Sequence, residues 1–148
     1  MVLVLILSST PASAQFVSLV GGPPPVQDFN TLAASGSSST LPSGWYLAET
    51  DDNANSEYRA GDGSSNTGDT YSFGAGTDSE PAFGTLQSSS LVSRIGAQLR
   101  NDSGLAITEI TVNYTGEQWR LGATGRADTL KFEYSANATG LNDPAANW

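Results

Sequence analysis

Three stretches in the second half of the chain alternate apolar and polar residues with a period of two, and that pattern restricts the fold more than any other feature. In SLVSRIGAQLRN, Leu91, Ile95, Ala97 and Leu99 fall on one side and Arg94, Gln98 and Arg100 on the other. ITEITVNYT repeats the pattern with Ile110, Val112 and Tyr114 facing inward, and TLKFEYS sets Leu130, Phe132 and Tyr134 against Lys131 and Glu133. Such segments read as antiparallel strands with one face in a core and one in water. Asp102-Ser103-Gly104 separates the first two as a hairpin turn, and no segment carries a helical period of useful length. The expectation is an all-β fold, an antiparallel two-sheet β-sandwich.

The first half agrees in weaker form. In LPSGWYLAE, Pro42 and Gly44 make a turn, and Trp45 and Leu47 then alternate with Tyr46 and Ala48. SEYRAG is a short candidate strand, and DTYSFG places Tyr71 and Phe73 on one face. With 148 residues, only 14% of them charged, and 16 glycines, the chain suits one domain of short strands joined by polar turns. A domain of this length buries roughly 70% of its unfolded surface, enough for a real core.

The amino terminus, MVLVLILSSTPASAQ, joins an apolar run from Val2 to Leu7 to Ala12-Ser13-Ala14, the form of a signal peptide cleaved before Gln15. The run is too short for an ordinary transmembrane helix. Residues 1–14 are therefore read as a signal peptide for bacterial export to the extracellular space, 15–25 as a Pro-rich lead-in through Pro23-Pro24-Pro25, and 26–148 as the β-module. The first basic residue is Arg59, so no positive region precedes the apolar run, and the expected start lies upstream of Met1. Turn residues and an aromatic close the chain at Trp148, so the module is expected to be truncated there.

Six basic against fifteen acidic residues give a formal charge of −9, which repels a nucleic-acid backbone. The carboxylates are compatible with Ca²⁺, and equally with a plain acidic surface. The chain has no Cys and no His, which removes disulfides, thiolate chemistry, Cys/His zinc sites and His-based triads from these residues.

The stretch NYTGEQWR, Asn113 to Arg120, crowds Glu117, Trp119 and Arg120 at the end of a candidate strand, the best place in the sequence for a ligand. Glu117 and Glu109 share a strand face, but eight extended residues span about 26 Å, beyond the roughly 5 to 10 Å that paired glycosidase carboxylates need. No catalytic pair comes from this strand. Trp119 is open to two readings, a sugar-stacking platform or core packing, and a bulge at Gly116 would decide which way it faces. Asp51-x-Asn53-x-Asn55 has the early spacing of an EF-hand loop, but Ser56 replaces the required Gly and no helices flank it, so Asx turns are expected. GDGSSNTGD lacks the Lys and following helix of a phosphate loop.

The order DFNTL, LPSGW, GSSNTGDTYSFG, AFGTLQSSSL, IGAQLRNDSG, YTGEQWR and FEYSANAT resembles an N-terminal β-sandwich module of large secreted bacterial proteins. Those proteins include ones with extracellular nuclease or phosphatase-like domains, lamin-tail domains or C-terminal sorting signals. The resemblance implies a jelly-roll-like fold whose final strands, including an acidic one, are not in this sequence. It also implies Asp28 as half of a structural calcium site. The function it implies is that of a non-catalytic accessory module binding polysaccharide or cell-surface glycan, with downstream domains of the same chain as further partners. Two alternatives stand beside it, a structural or adhesive spacer without a small ligand and the leading part of a secreted hydrolase.

Overall fold

The computed structural model describes residues 15–23, 25–74, 80–125 and 127–148. The expected signal peptide, residues 1–14, and Pro24 of the lead-in lie outside the described residues. The fold is all-β, with no helix among those residues. Its strands are β1 (Val17–Leu19), β2 (Ser37–Ser38), β3 (Trp45–Thr50), β4 (Tyr58–Gly61), β5 (Asp69–Phe73), β6 (Ala82–Leu86), β7 (Val92–Ala97) and β8 (Leu99–Asn101). They form a four-stranded sheet in the order β2-β4-β5-β6 and two pairs, β3-β7 and β1-β8.

The turn ahead of β3 forms as its residues dictate. Trp45 N donates to Pro42 O at 3.0 Å, and Gly44 takes φ +80° at the position where a type II turn requires a left-handed residue. β3 then pairs antiparallel with β7 over its whole length, Leu47 opposite Ile95 and Glu49 opposite Ser93. β5 pairs antiparallel with β6, placing Ser72 opposite Phe83.

The expectation of purely antiparallel pairing is corrected by β4-β5 and β1-β8, which are parallel. A parallel return usually takes a dozen residues or more. Residues 62–68 suffice because β4 has only four residues to run back along. The loop crosses over Tyr71, whose hydroxyl donates to Thr67 O at 2.8 Å and lies 3.0 Å from the Ser65 hydroxyl.

The core lies where the four-stranded sheet meets β3-β7. Leu32, Tyr58 and Phe83 are its buried residues, with Phe29, Trp45, Leu47 and Ile95 packed against them. Phe29 meets Trp45 edge-on at 4.7 Å between ring centroids and tilts against Phe83 at 5.4 Å. β3 also carries a buried carboxylate. Glu49 shares a face of β3 with Trp45 and Leu47 and is only 9% exposed. Its Oε1 accepts from Thr70 N at 2.9 Å and from Thr70 Oγ1 at 2.7 Å, and its Oε2 accepts from Asn55 N at 3.0 Å. The Thr70 hydroxyl lies 2.6 Å from Ser93 Oγ, so one polar network joins β3, β5, β7 and the loop before β4.

The two clearest alternating segments of the sequence do not behave as expected. Residues 105–116 and 127–135 belong to no strand, and no backbone-to-backbone hydrogen bond falls within either. Ile110, Val112, Tyr114, Leu130, Phe132 and Tyr134, all expected inward, are exposed. The core face they would have joined is already filled by Phe29, Trp45, Tyr58 and Phe83. Leu99, expected in the core, is also exposed, because the stretch that reads as one strand is interrupted at Gln98 and continues as β8 beside β1.

Truncating Glu49 would take the acceptor from Asn55 N, remove one of two partners from each Thr70 donor, and empty a buried site. Glu49→Ala is expected to lower unfolding free energy by about 2–4 kcal/mol. A urea denaturation midpoint within error of the wild type would contradict this.

Candidate functional site

NYTGEQWR ends the first unladdered segment and anchors it to β5. Trp119 stacks on Phe73 with centroids 5.8 Å apart and planes 14° from parallel, and Phe73 stacks on Tyr71 at 5.1 Å. The three rings form a ladder because Tyr71 and Phe73 are two positions apart on β5 and so share a face. Trp119 is partly exposed, and its Nε1 donates to Glu117 Oε2 at 2.8 Å.

Arg120 is directed elsewhere. Its Nη1 donates to Ser64 O at 2.9 Å and Ser65 O at 2.8 Å, with Gly63 O at 3.5 Å, and its Nη2 donates to Asn66 Oδ1. A guanidinium with its donors in a rigid fork suits a row of carbonyls in this way. The loop accepts the contact because Gly63 stands at φ +82°, where a Cβ would collide with the Trp119 carbonyl oxygen. Of the expected ligand-binding trio, Trp119 and Glu117 are thus brought together, while Arg120 holds the loop beneath them. The bulge expected at Gly116 has no ladder to interrupt, and a Cβ there meets nothing within 4 Å.

Asp28 lies apart from this site. Its Oδ1 accepts from Asn30 N at 3.0 Å, closing a local turn on the surface. No group of three or more Asp, Glu, His or Cys among the described residues is arranged to hold a metal ion. In the stretch where Asx turns are expected, Asn55 forms one, its Oδ1 accepting from Glu57 N at 2.7 Å, and Asp62 makes a further one with Ser64 N at 2.9 Å.

Sequence reasoning did not single out the concave region beside Asp69. An open cleft of about 290 Å³ is lined by Ser37, Asn55, Ser56, Glu57, Arg59 and Asp69. Asp69 is 5% exposed, and its Oδ2 lies 3.4 Å from Arg59 Nε. Asp69 Oδ1 and Glu49 Oε1 both accept from Thr70 N, so the two carboxylates lie within roughly 6 Å of each other, a separation found between glycosidase carboxylates. Glu49, however, is enclosed and held by three donors, which makes it a structural acceptor. Burial first, and then the Glu49 charge, push the Asp69 carboxyl above its usual range, against the opposing pull of Arg59. Its signal in the sequence was parity, since Asp69 lies on the same side of β5 as Tyr71 and Phe73.

Comparison with protein-family models, curated proteins and solved structures finds no match. The geometry is therefore the ground for any functional reading.

Two outcomes follow from this site. Gly63→Ala combines a left-handed side chain with a collision at Trp119, and is expected to destabilise by at least about 1–2 kcal/mol. A chemical denaturation midpoint equal to the wild type would contradict it. Asp69, with its folded pKa raised, binds its proton more tightly in the native state, so its contribution is favourable below pH 3.8 and is lost as pH rises through the folded pKa. Asp69→Asn is expected to remove that loss, so the melting temperature of the variant relative to wild type should climb as pH rises above 3.8 and then level off. A difference independent of pH would contradict the assignment.

Proposed function

We propose that this chain is a non-catalytic accessory module of a secreted protein, a jelly-roll-like two-sheet β-sandwich that binds polysaccharide or cell-surface glycan through Trp119. The observation that carries the reading is the preorganised indole. Trp119 is backed by Phe73, its N–H is held by Glu117, and its backbone is fixed on the 63–66 loop by Arg120. Sugar rings present C–H faces that stack on such a ring, and a side chain already immobilised loses little conformational freedom on binding. Glu117 lies at the ring edge, where a carboxylate accepts from sugar hydroxyls.

The module class follows from the same groups. The chain contains no His or Cys, and its buried carboxylates are engaged, Glu49 by backbone and hydroxyl donors and Asp69 by Thr70 N and Arg59. The residues at Trp119 recognise and do not transform. The resemblance to modules of large secreted bacterial proteins supports the extracellular setting.

Affinity electrophoresis on a panel of soluble polysaccharides tests the reading. At least one glycan is expected to retard the wild type, and Trp119→Ala is expected to lose at least about tenfold in affinity, about 1.4 kcal/mol, while Trp119→Phe retains part of it. Unchanged mobility on every glycan, or retardation indifferent to Trp119→Ala, would sink the proposal.

A further inference from the structure

The segment Leu130 to Tyr134 is a strand without a ladder. Leu130, Phe132 and Tyr134 are 73%, 61% and 79% exposed, and none of the residues 129–134 makes a backbone-to-backbone hydrogen bond with another described residue. Lys131 Nζ reaches Glu133 Oε1 at 2.5 Å, which places these two residues on one side of the segment, as an extended backbone requires. On its flank, the Phe132 ring stacks nearly parallel to Tyr114 at 6.1 Å, which brings the end of the other alternating segment, Ile110 to Tyr114, against it. Two strands alone are marginal in water, whereas three or more strands with an apolar face are stable.

We propose that a second copy of this chain supplies the missing strands, pairing antiparallel along Leu130 to Tyr134 about a two-fold axis at Phe132. The sequence Leu-Lys-Phe-Glu-Tyr is self-complementary in this register. Lys131 of each copy stands opposite Glu133 of the other, Leu130 opposite Tyr134, and Phe132 opposite itself. Opposite charges directly across an antiparallel pair stabilise, and like charges destabilise. Slipping the register by two residues one way brings Glu133 against Glu133, and the other way Lys131 against Lys131. A slip of one residue sends the apolar residues to the other face. The charges therefore select a single register, and the product is a four-segment sheet carrying Ile110, Val112, Tyr114, Leu130, Phe132 and Tyr134 from each copy on one face.

Sedimentation equilibrium over a wide concentration range tests the pairing with charge reversals at exposed positions, where folding is little affected. The wild type is expected to dimerise reversibly. Lys131→Glu and Glu133→Lys each create two like-charge pairs per dimer and are expected to weaken association about tenfold or more. The double reversal restores complementarity and is expected to return association to near the wild-type value, and an equimolar mixture of the two single variants is expected to form mixed dimers. A wild type that stays monomeric at every concentration overturns the proposal. So does a dimer whose strength ignores both single reversals, since it must use another face.

Discussion

A carboxylate in the core is the interaction on which the rest of this structure depends. An isolated charge at so enclosed a position would be prohibitive, but Glu49 takes its donors from two other parts of the chain, β5 and the loop before β4, and both are thereby fixed. Thr70 ties in β5, the Thr70 to Ser93 contact ties in β7, and Asn55 N ties in the loop that leads to β4. The network also protects the register of β3 against β7. A one-residue slip would turn Glu49 to the other face of β3 and break all three of its hydrogen bonds.

The second half of the chain is attached to this core at points instead of along strands. Trp119 and Arg120 fasten it to β5 and the 63–66 loop. Further on, Leu141 lies against the bare backbone of Gly96, where a Cβ would come within 2.7 Å of it. Asn142 accepts from Arg94 Nη1 at 2.8 Å and donates to Glu49 O at 3.4 Å. Between these anchors the described residues belong to no strand, and Leu121, Leu130, Phe132 and Tyr134 remain in water. The same feature gives the proposed binding residue its rigidity and leaves the 130–134 edge open for a partner.

How much of this was legible in the sequence depends on whether a feature is local. The Pro42 to Gly44 turn, the Trp45/Leu47 face and the Tyr71/Phe73 pair were readable because turn chemistry and two-residue parity act over a few positions. Glu49 was readable in the same way, being of the same parity as Trp45 and Leu47, but an acidic residue there invites the wrong conclusion unless its donors are known. Periodicity says which side of a segment would be buried, and it does not say whether anything covers that side. Tyr114 and Phe132 have the pattern of core residues and find only each other. For the site, NYTGEQWR stood out by its residue types, but the partners of Arg120 lie more than fifty residues upstream, and nothing in the local spacing indicates them.

Residue-resolved amide hydrogen exchange at a concentration below dimerisation tests this division most directly. The account predicts strong protection for the paired amides of β3, β5 and β7 and for Thr70 and Asn55, whose N–H groups are held by Glu49, together with fast exchange across residues 105–116 and 127–135. Protection in those two segments equal to that of β3 and β7 would contradict it, because the second half would then be laddered into the same cooperative unit as the core.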